Sequence, residues 1–167
     1  MKESFTRSAV TAALLVTAMG AQAESLDFEV TDTDTIVVGA TSEKMIIKVT
    51  GFKNMKSQAN APKSTQLGTF AASTSANAGQ IAVSYGPEHN AQAISGLLTG
   101  HIDNETGQSI STYLELTSAT IINAGGTDWL IAPEANKSVN GSLLTNGVNN
   151  LSPGVYPVTL RAALYKP

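Results

Sequence analysis

Residues 24–35 read Glu-Ser-Leu-Asp-Phe-Glu-Val-Thr-Asp-Thr-Asp-Thr. In an extended chain successive side chains point to opposite sides, so Leu26, Phe28 and Val30 share one face while Asp27, Glu29 and Thr31 share the other. Such a segment is a strand with one greasy face that needs an apolar surface to lie on. Near the other end, residues 156–165 read Tyr-Pro-Val-Thr-Leu-Arg-Ala-Ala-Leu-Tyr. Alternation there sets Tyr156, Val158, Leu160, Ala162 and Leu164 against Thr159, Arg161 and Tyr165. The sequence stops two residues later, which leaves the edge of that strand open unless another part of this chain, or another chain, pairs with it. Spacing alone does not choose between the two partners.

Between these ends the pattern is that of short strands with β-branched residues, and it carries no helical stripe. Strands are expected over Leu26–Thr33, Lys44–Thr50, Gln66–Ala71, Gln80–Tyr85, Ile94–Ile102, Ser109–Ile122, Asp128–Ala132 and Val155–Tyr165. Gly51, Asn60-Ala61-Pro62, Asn77-Ala78-Gly79, Gly86-Pro87, residues 103–107, Gly125-Gly126 and Ser152-Pro153-Gly154 punctuate them. The stretch from Asn136 to Asn150 is rich in Asn, Gly and Ser and reads as a long surface loop. Eight short strands at this spacing predict an all-β Greek-key sandwich in preference to a barrel.

The composition narrows the function. The chain has 167 residues, no cysteine, 14% charged residues and a formal charge of −3. It is too aliphatic for a disordered chain and too poor in basic residues for one that lives on nucleic-acid phosphates. Without Cys there is no disulfide framework, zinc ribbon or thiol nucleophile. Lys2 and Arg7, the apolar run from Ala9 to Met19, and Ala21-Gln22-Ala23 together read as a signal peptide cleaved before Glu24. Its removal leaves 8 basic and 12 acidic residues, a formal −4. The expected organisation is a signal peptide over residues 1–23, an N-terminal extension over 24–40 and one domain over 41–167.

A search for chemistry yields no catalytic or cofactor pattern: no G-x-S-x-G elbow, no nucleotide-binding glycine motif, no H-E-x-x-H. No catalytic residue, metal or cofactor is assigned, and the chain reads as a non-enzyme. His89 and His101 sit in or beside loop-like sequence and read as solvated or capping residues. Asp32 and Asp34 suit the solvent end of a strand better than a cation site. The N-x-S/T triplets at Asn104, Asn136, Asn140 and Asn150 read as loop chemistry, and Trp129, the one Trp, as core.

Three segments resemble subunits of chaperone/usher surface fibres, and among these the cysteine-free Saf-like group assembled by chaperones of the FGL class. Ser25-Leu26-Asp27-Phe28-Glu29-Val30 is similar to the N-terminal donor extension of those subunits. Glu43 to Pro62, with Val49-Thr50-Gly51-Phe52-Lys53, Lys56 and Asn60-Ala61-Pro62, resembles their first strand and the turn after it. Pro153 to Tyr165, ending in Tyr-Lys-Pro, resembles their C-terminal strand. Residues 73–150 carry no such match. The resemblance implies an incomplete immunoglobulin-like Greek-key sandwich completed by donor-strand exchange. Leu26, Phe28 and Val30 would be donor residues, and Met45, Ile47, Val49, Val158, Leu160, Ala162 and Leu164 would line the acceptor groove. The implied partners are identical subunits in a head-to-tail fibre, a periplasmic chaperone, an outer-membrane usher and a host-cell receptor, with export through the periplasm to the cell surface. Many pilins of this superfamily carry a disulfide between early strands, and this chain departs from them. The alternative function is a self-contained exported β-sandwich that binds a carbohydrate or protein through its loops.

Overall fold

The computed structural model describes residues 25–32, 44–76, 79–133 and 136–167, the first of these as a backbone strand. The expected signal peptide, Glu24, Asp34 and the rest of residues 33–43 lie outside the described residues. The strands are β1 (Ser25–Asp32), β2 (Met45–Gly51), β3 (Gln58–Ala61), β4 (Gln66–Thr74), β5 (Gln80–Tyr85), β6 (Gln92–Ile94), β7 (Leu97–Asp103), β8 (Ser109–Glu115), β9 (Thr120–Ala124), β10 (Thr127–Ile131), β11 (Ser138–Thr145), β12 (Asn149–Leu151) and β13 (Leu160–Lys166). A 3-10 turn, Pro87–His89, follows β5. One sheet runs β1-β13-β5-β10-β9, the other β2-β4-β11-β8-β7-β6, and β3 and β12 form a small ribbon. The fold is the expected all-β sandwich.

Alternation along the strands makes the core. Met45 and Ile47 of β2, Phe70 and Ala72 of β4, Ile81, Val83 and Tyr85 of β5, and Leu160, Ala162 and Leu164 of β13 are buried together between the sheets. The opposite face of β13 is covered as well: Ala163 and Tyr165 pack with Ala82, Ile131 and Trp129 in a second cluster. Trp129 is core on that outer face, where the Arg161 guanidinium carbon lies 5.1 Å from its ring centre and adds a cation–π contact. At one end of the sandwich Tyr85 bridges the sheets through its hydroxyl, 2.9 Å from Thr112 Oγ1. The Thr112 hydroxyl donates its one hydrogen to the Gly100 carbonyl, so Tyr85 is the donor in that pair. Burial pushes the Tyr85 phenol above its ordinary range, and the Thr112 bond offsets this only in part.

Several strand expectations need correction. Ser109–Ile122 is two strands in different sheets, β8 and β9, separated by a turn in which Ala119 N–H bonds to the Leu116 carbonyl and Ser118 takes a φ of 55°. Ile94–Ile102 is a hairpin: Ile94 pairs with Leu97, and Ser95 and Gly96 take φ of 51° and 76°, the two positive angles that suit the twist of a two-residue hairpin. The last strand begins at Leu160, not Val155, because Pro157 breaks the ladder. The expected surface loop from Asn136 to Asn150 contains β11, which lies inside its sheet between β4 and β8. Asn140, Gly141 and Ser142 have weak strand preference, and pairing on both sides overrides it. Asn140 is therefore a strand residue and not a loop residue.

Gly141 shows why a poor strand former occupies that place. A Cβ there would run into Phe70 Cζ and lie 2.5 Å from the Glu115 carbonyl oxygen. Phe70, opposite Gly141 in the ladder, fills the space that a side chain would take. Gly141→Ala should destabilise the domain by about 1–3 kcal/mol through overpacking, measured as a lower urea midpoint with an unchanged denaturant slope.

Candidate functional site

The expected acceptor residues come together. Met45 and Ile47 from β2 and Leu160, Ala162 and Leu164 from β13 belong to one buried cluster, and Val49 and Val158 pack half-buried against it. Val158 does so from the irregular segment before β13, not from the strand itself. These residues line the side of the sandwich where the edges of the two sheets meet. β1 closes that side: it pairs antiparallel with β13 and touches β2.

The register of that pairing is specific. Ser25, Leu26 and Asp27 stand opposite Lys166, Tyr165 and Leu164, whereas Val30, Thr31 and Asp32 stand opposite Ala162, Arg161 and Leu160. The shift between Asp27 and Val30 inserts one extra residue in β1, a bulge. A single-residue shift exchanges the two faces of a strand. Thus Val30 is opposite an inner residue of β13, Leu26 is opposite Tyr165 of the outer cluster, and Phe28 falls within the bulge. The side chains of Leu26, Phe28 and Val30 lie outside what the structure describes.

The ends of these strands define two poles. Met45 pairs with Thr74, and Lys44 and Ser75 bond to each other at the same place. A five-residue connection then leads to Gln80, which pairs with Tyr165, next to Leu26. Hence β1 and β2 both begin at this first pole. Gly51 pairs with Gly68 at the second pole, where Tyr85 pairs with Leu160 and Leu160 with Asp32. Asp32 and Lys44 thus sit at opposite ends of the sandwich, joined by the eleven residues 33–43.

His89, expected to be solvated or a cap, is buried and holds the approach to β13. Its Nδ1 lies 2.9 Å from the His101 carbonyl oxygen, and its Nε2 accepts the Thr159 N–H at 2.9 Å. An acceptor Nε2 with a carbonyl at Nδ1 defines the neutral tautomer with its hydrogen on Nδ1. The ring therefore fixes Thr159, the residue just before β13, against β7. Neighbouring Glu88 is half in water, 3.5 Å from His89 Nε2. Partial burial would raise its pKa, but a hydrogen bond from Thr159, its own backbone and the positive charge of Arg161 outweigh that and hold the carboxyl below its ordinary value. His101 itself is exposed on β7. The proline and the short spacing P-E-H were the only local signals of this clamp. Among the described residues no group of three His, Asp or Glu is placed to hold a metal.

No family model and no curated protein matches this chain in sequence. Solved structures do match in shape. The Escherichia coli Hda pilus minor tip subunit HdaB is similar at a TM-score of 0.58 and 13% identity over 72% of this chain and 82% of that one. The Salmonella SafD adhesin is similar at 0.60 and 13% over 73% and 88%. AggB, the minor subunit of the Escherichia coli aggregative adherence fimbriae type I, is similar at 0.54 and 11% over 70% and 82%. The chain has the immunoglobulin-like sandwich fold of such pilus subunits and adhesins.

Within that fold, removing the His89 ring leaves the Thr159 N–H and the His101 carbonyl without their partner. His89→Ala should cost about 1–3 kcal/mol in urea unfolding. Because the Glu88 pKa is lowered in the folded state, its contribution is present above the ordinary carboxylate range and is lost as pH falls through the folded value. Half exposure makes that contribution small, so wild type and Glu88→Gln should converge in stability on acidification.

Proposed function

We propose that the chain is a structural subunit of a bacterial surface fimbria or adhesive fibre, polymerised by donor-strand exchange and supporting adhesion to host cells. The observation that carries this reading is the terminal strand β13, whose outer edge is completed by a strand tethered through residues that join opposite poles. A detachable alternating strand and an edge that needs one are the two halves of strand addition. β13 can take this strand from its own chain or from a neighbour, so exchange is a domain swap that keeps the β1–β13 pairing.

The connection permits the swap as well as self-pairing. In the self-paired chain residues 33–43 must return along the sandwich, about 20–25 Å at the usual rise per strand residue. Eleven residues, which extend to at most about 36–40 Å, cover that distance. A donor in a neighbour's groove has no such return to make. It enters with Ser25 at the acceptor's first pole and leaves with Asp32 at the second, where its own domain follows. Each contact joins the second pole of one subunit to the first pole of the next, and its product is a linear fibre.

An exchanged strand also has no need of the bulge. If the Val30–Ala162 register runs on unbroken, Phe28 stands opposite Leu164, and the even-numbered apolar residues of both strands share the inner face. Burying Leu26, Phe28 and Val30 would contribute roughly 5–9 kcal/mol at about 1.5–3 kcal/mol for each large apolar side chain, comparable with the whole stability of a small domain. The tether raises the effective concentration of a chain's own β1 to about the millimolar range. A periplasmic chaperone is therefore required to occupy the groove before self-pairing does, and an outer-membrane usher to exchange it for the next subunit. No catalysis and no cofactor enter this role.

A second reading, the self-contained binding module, draws support from the pairing of β1 with β13 of the same chain. The two readings differ in one gel. Exported together with its chaperone, the fibre subunit gives multimers that survive SDS until heated, and Phe28→Ser or removal of residues 24–35 abolishes them while chaperone binding persists. The self-contained module gives only monomer in both lanes, with residues 24–35 protected from protease within one chain.

A further inference from the structure

Charge is distributed unevenly along this chain. Residues 24–43 hold six acidic residues, Glu24, Asp27, Glu29, Asp32, Asp34 and Glu43, and no basic one. Residues 44–63 hold five lysines and no acidic residue. Two of these lysines, Lys53 and Lys56, flank exposed apolar residues in the loop after β2: Phe52 is 47% exposed and Met55 40%. This loop lies at the second pole, since Phe52 N–H bonds to the Leu67 carbonyl beside the Gly51–Gly68 pair. Among the described residues, the other exposed large apolar residues of loops at that pole are Val148, which follows the Asn146–Ser111 bond at the end of β11, and Val155, which precedes β13.

Asp32 ends β1 at this same pole. Beyond it come Thr33-Asp34-Thr35-Ile36-Val37-Val38, an acidic start followed by three large apolar residues. The loop offers the complementary order of chemistry, lysines interleaved with Phe52 and Met55. We infer that the loop Phe52–Lys56 is the docking surface for residues 33–38 of the donating subunit, so that consecutive subunits are joined by a seated connection and not by a free tether. The inference rests on the donor-strand reading and adds to it where the donor chain goes after leaving the groove. Asp32 and Asp34 meet Lys53 and Lys56 at the exposed rim, and Ile36 to Val38 cover Phe52 and Met55. An apolar contact bordered by opposite charges fixes direction and is weakened by salt.

The absence of cysteine makes this directly testable by disulfide trapping. Val37→Cys chains and Met55→Cys chains are exported together with the chaperone and usher, and fibres are oxidised mildly and then heated in SDS. The expected product is a heat-stable, reductant-sensitive dimer of one Val37→Cys and one Met55→Cys chain, lost when Lys53→Glu and Lys56→Glu are added to the Met55→Cys chain. Val38→Cys with Phe52→Cys repeats the test should the first pair fail to assemble. Ile94→Cys, 49% exposed on the edge strand β6, serves as the control acceptor. Fibres that form but give no such dimer, or give as much with Ile94→Cys, overturn the docking surface and leave donor-strand exchange standing. A trapped product found only within one chain, in a Val37→Cys/Met55→Cys double variant, overturns it too. If wild type forms no heat-sensitive multimers at all, the donor-strand reading has failed and the docking surface with it.

Discussion

The antiparallel ladder between β1 and β13 is the contact on which the rest of this molecule depends. Without β1 the outer edge of β13 would present unpaired N–H and C=O groups, and the inner residues of β13 and β2 beside it are apolar. Left open, that side would expose both kinds of surface and invite pairing with any available strand. β1 satisfies both needs at once, through main-chain bonds to β13 and contact with β2. The specification is for a strand of given length, pattern and direction, and nothing in it requires that the strand belong to the same chain.

On the donor-strand reading proposed above, connectivity turns this local requirement into a direction of assembly. Because β1 runs from the first pole to the second while β2 starts again at the first, self-completion needs a return path and exchange does not. His89 fixes Thr159 where β13 begins, so the end of the groove from which a donor chain would leave is anchored by buried hydrogen bonds. The exposed apolar residues and lysines of the loop after β2 gather at that same end. Stability that a disulfide supplies in small exported domains would, on the donor-strand reading proposed above, come here from burial against a supplied strand.

Much of this was readable in the residues. The alternation Leu26, Phe28, Val30 marked β1, and Leu160, Ala162, Leu164 marked the inner face of β13, because period-2 patterns survive when one face is buried. Where tertiary pairing outweighs local preference, the sequence was silent. Asn140-Gly141-Ser142 reads as loop, yet the Phe70 ring lying over Gly141 makes that glycine a requirement of a central strand. Ser95-Gly96 and Ser118 do not stand out as turns in the sequence because one or two residues with positive φ interrupt a pattern only briefly. The clamp at His89 depends on Thr159, seventy residues away, and the local P-E-H pattern says nothing of that partner. The bulge in β1 is likewise a property of the pair of strands and not of either alone.

Isotope-mixed cross-linking tests the central claim most directly. Subunits grown in ¹⁴N and ¹⁵N media are assembled together by chaperone and usher, cross-linked, digested and weighed. Donor-strand exchange predicts that about half of the cross-linked β1–β13 peptide pairs from an equal mixture combine one light and one heavy strand, as random neighbours must. If every β1–β13 pair is wholly light or wholly heavy, each subunit completes itself and the account is contradicted.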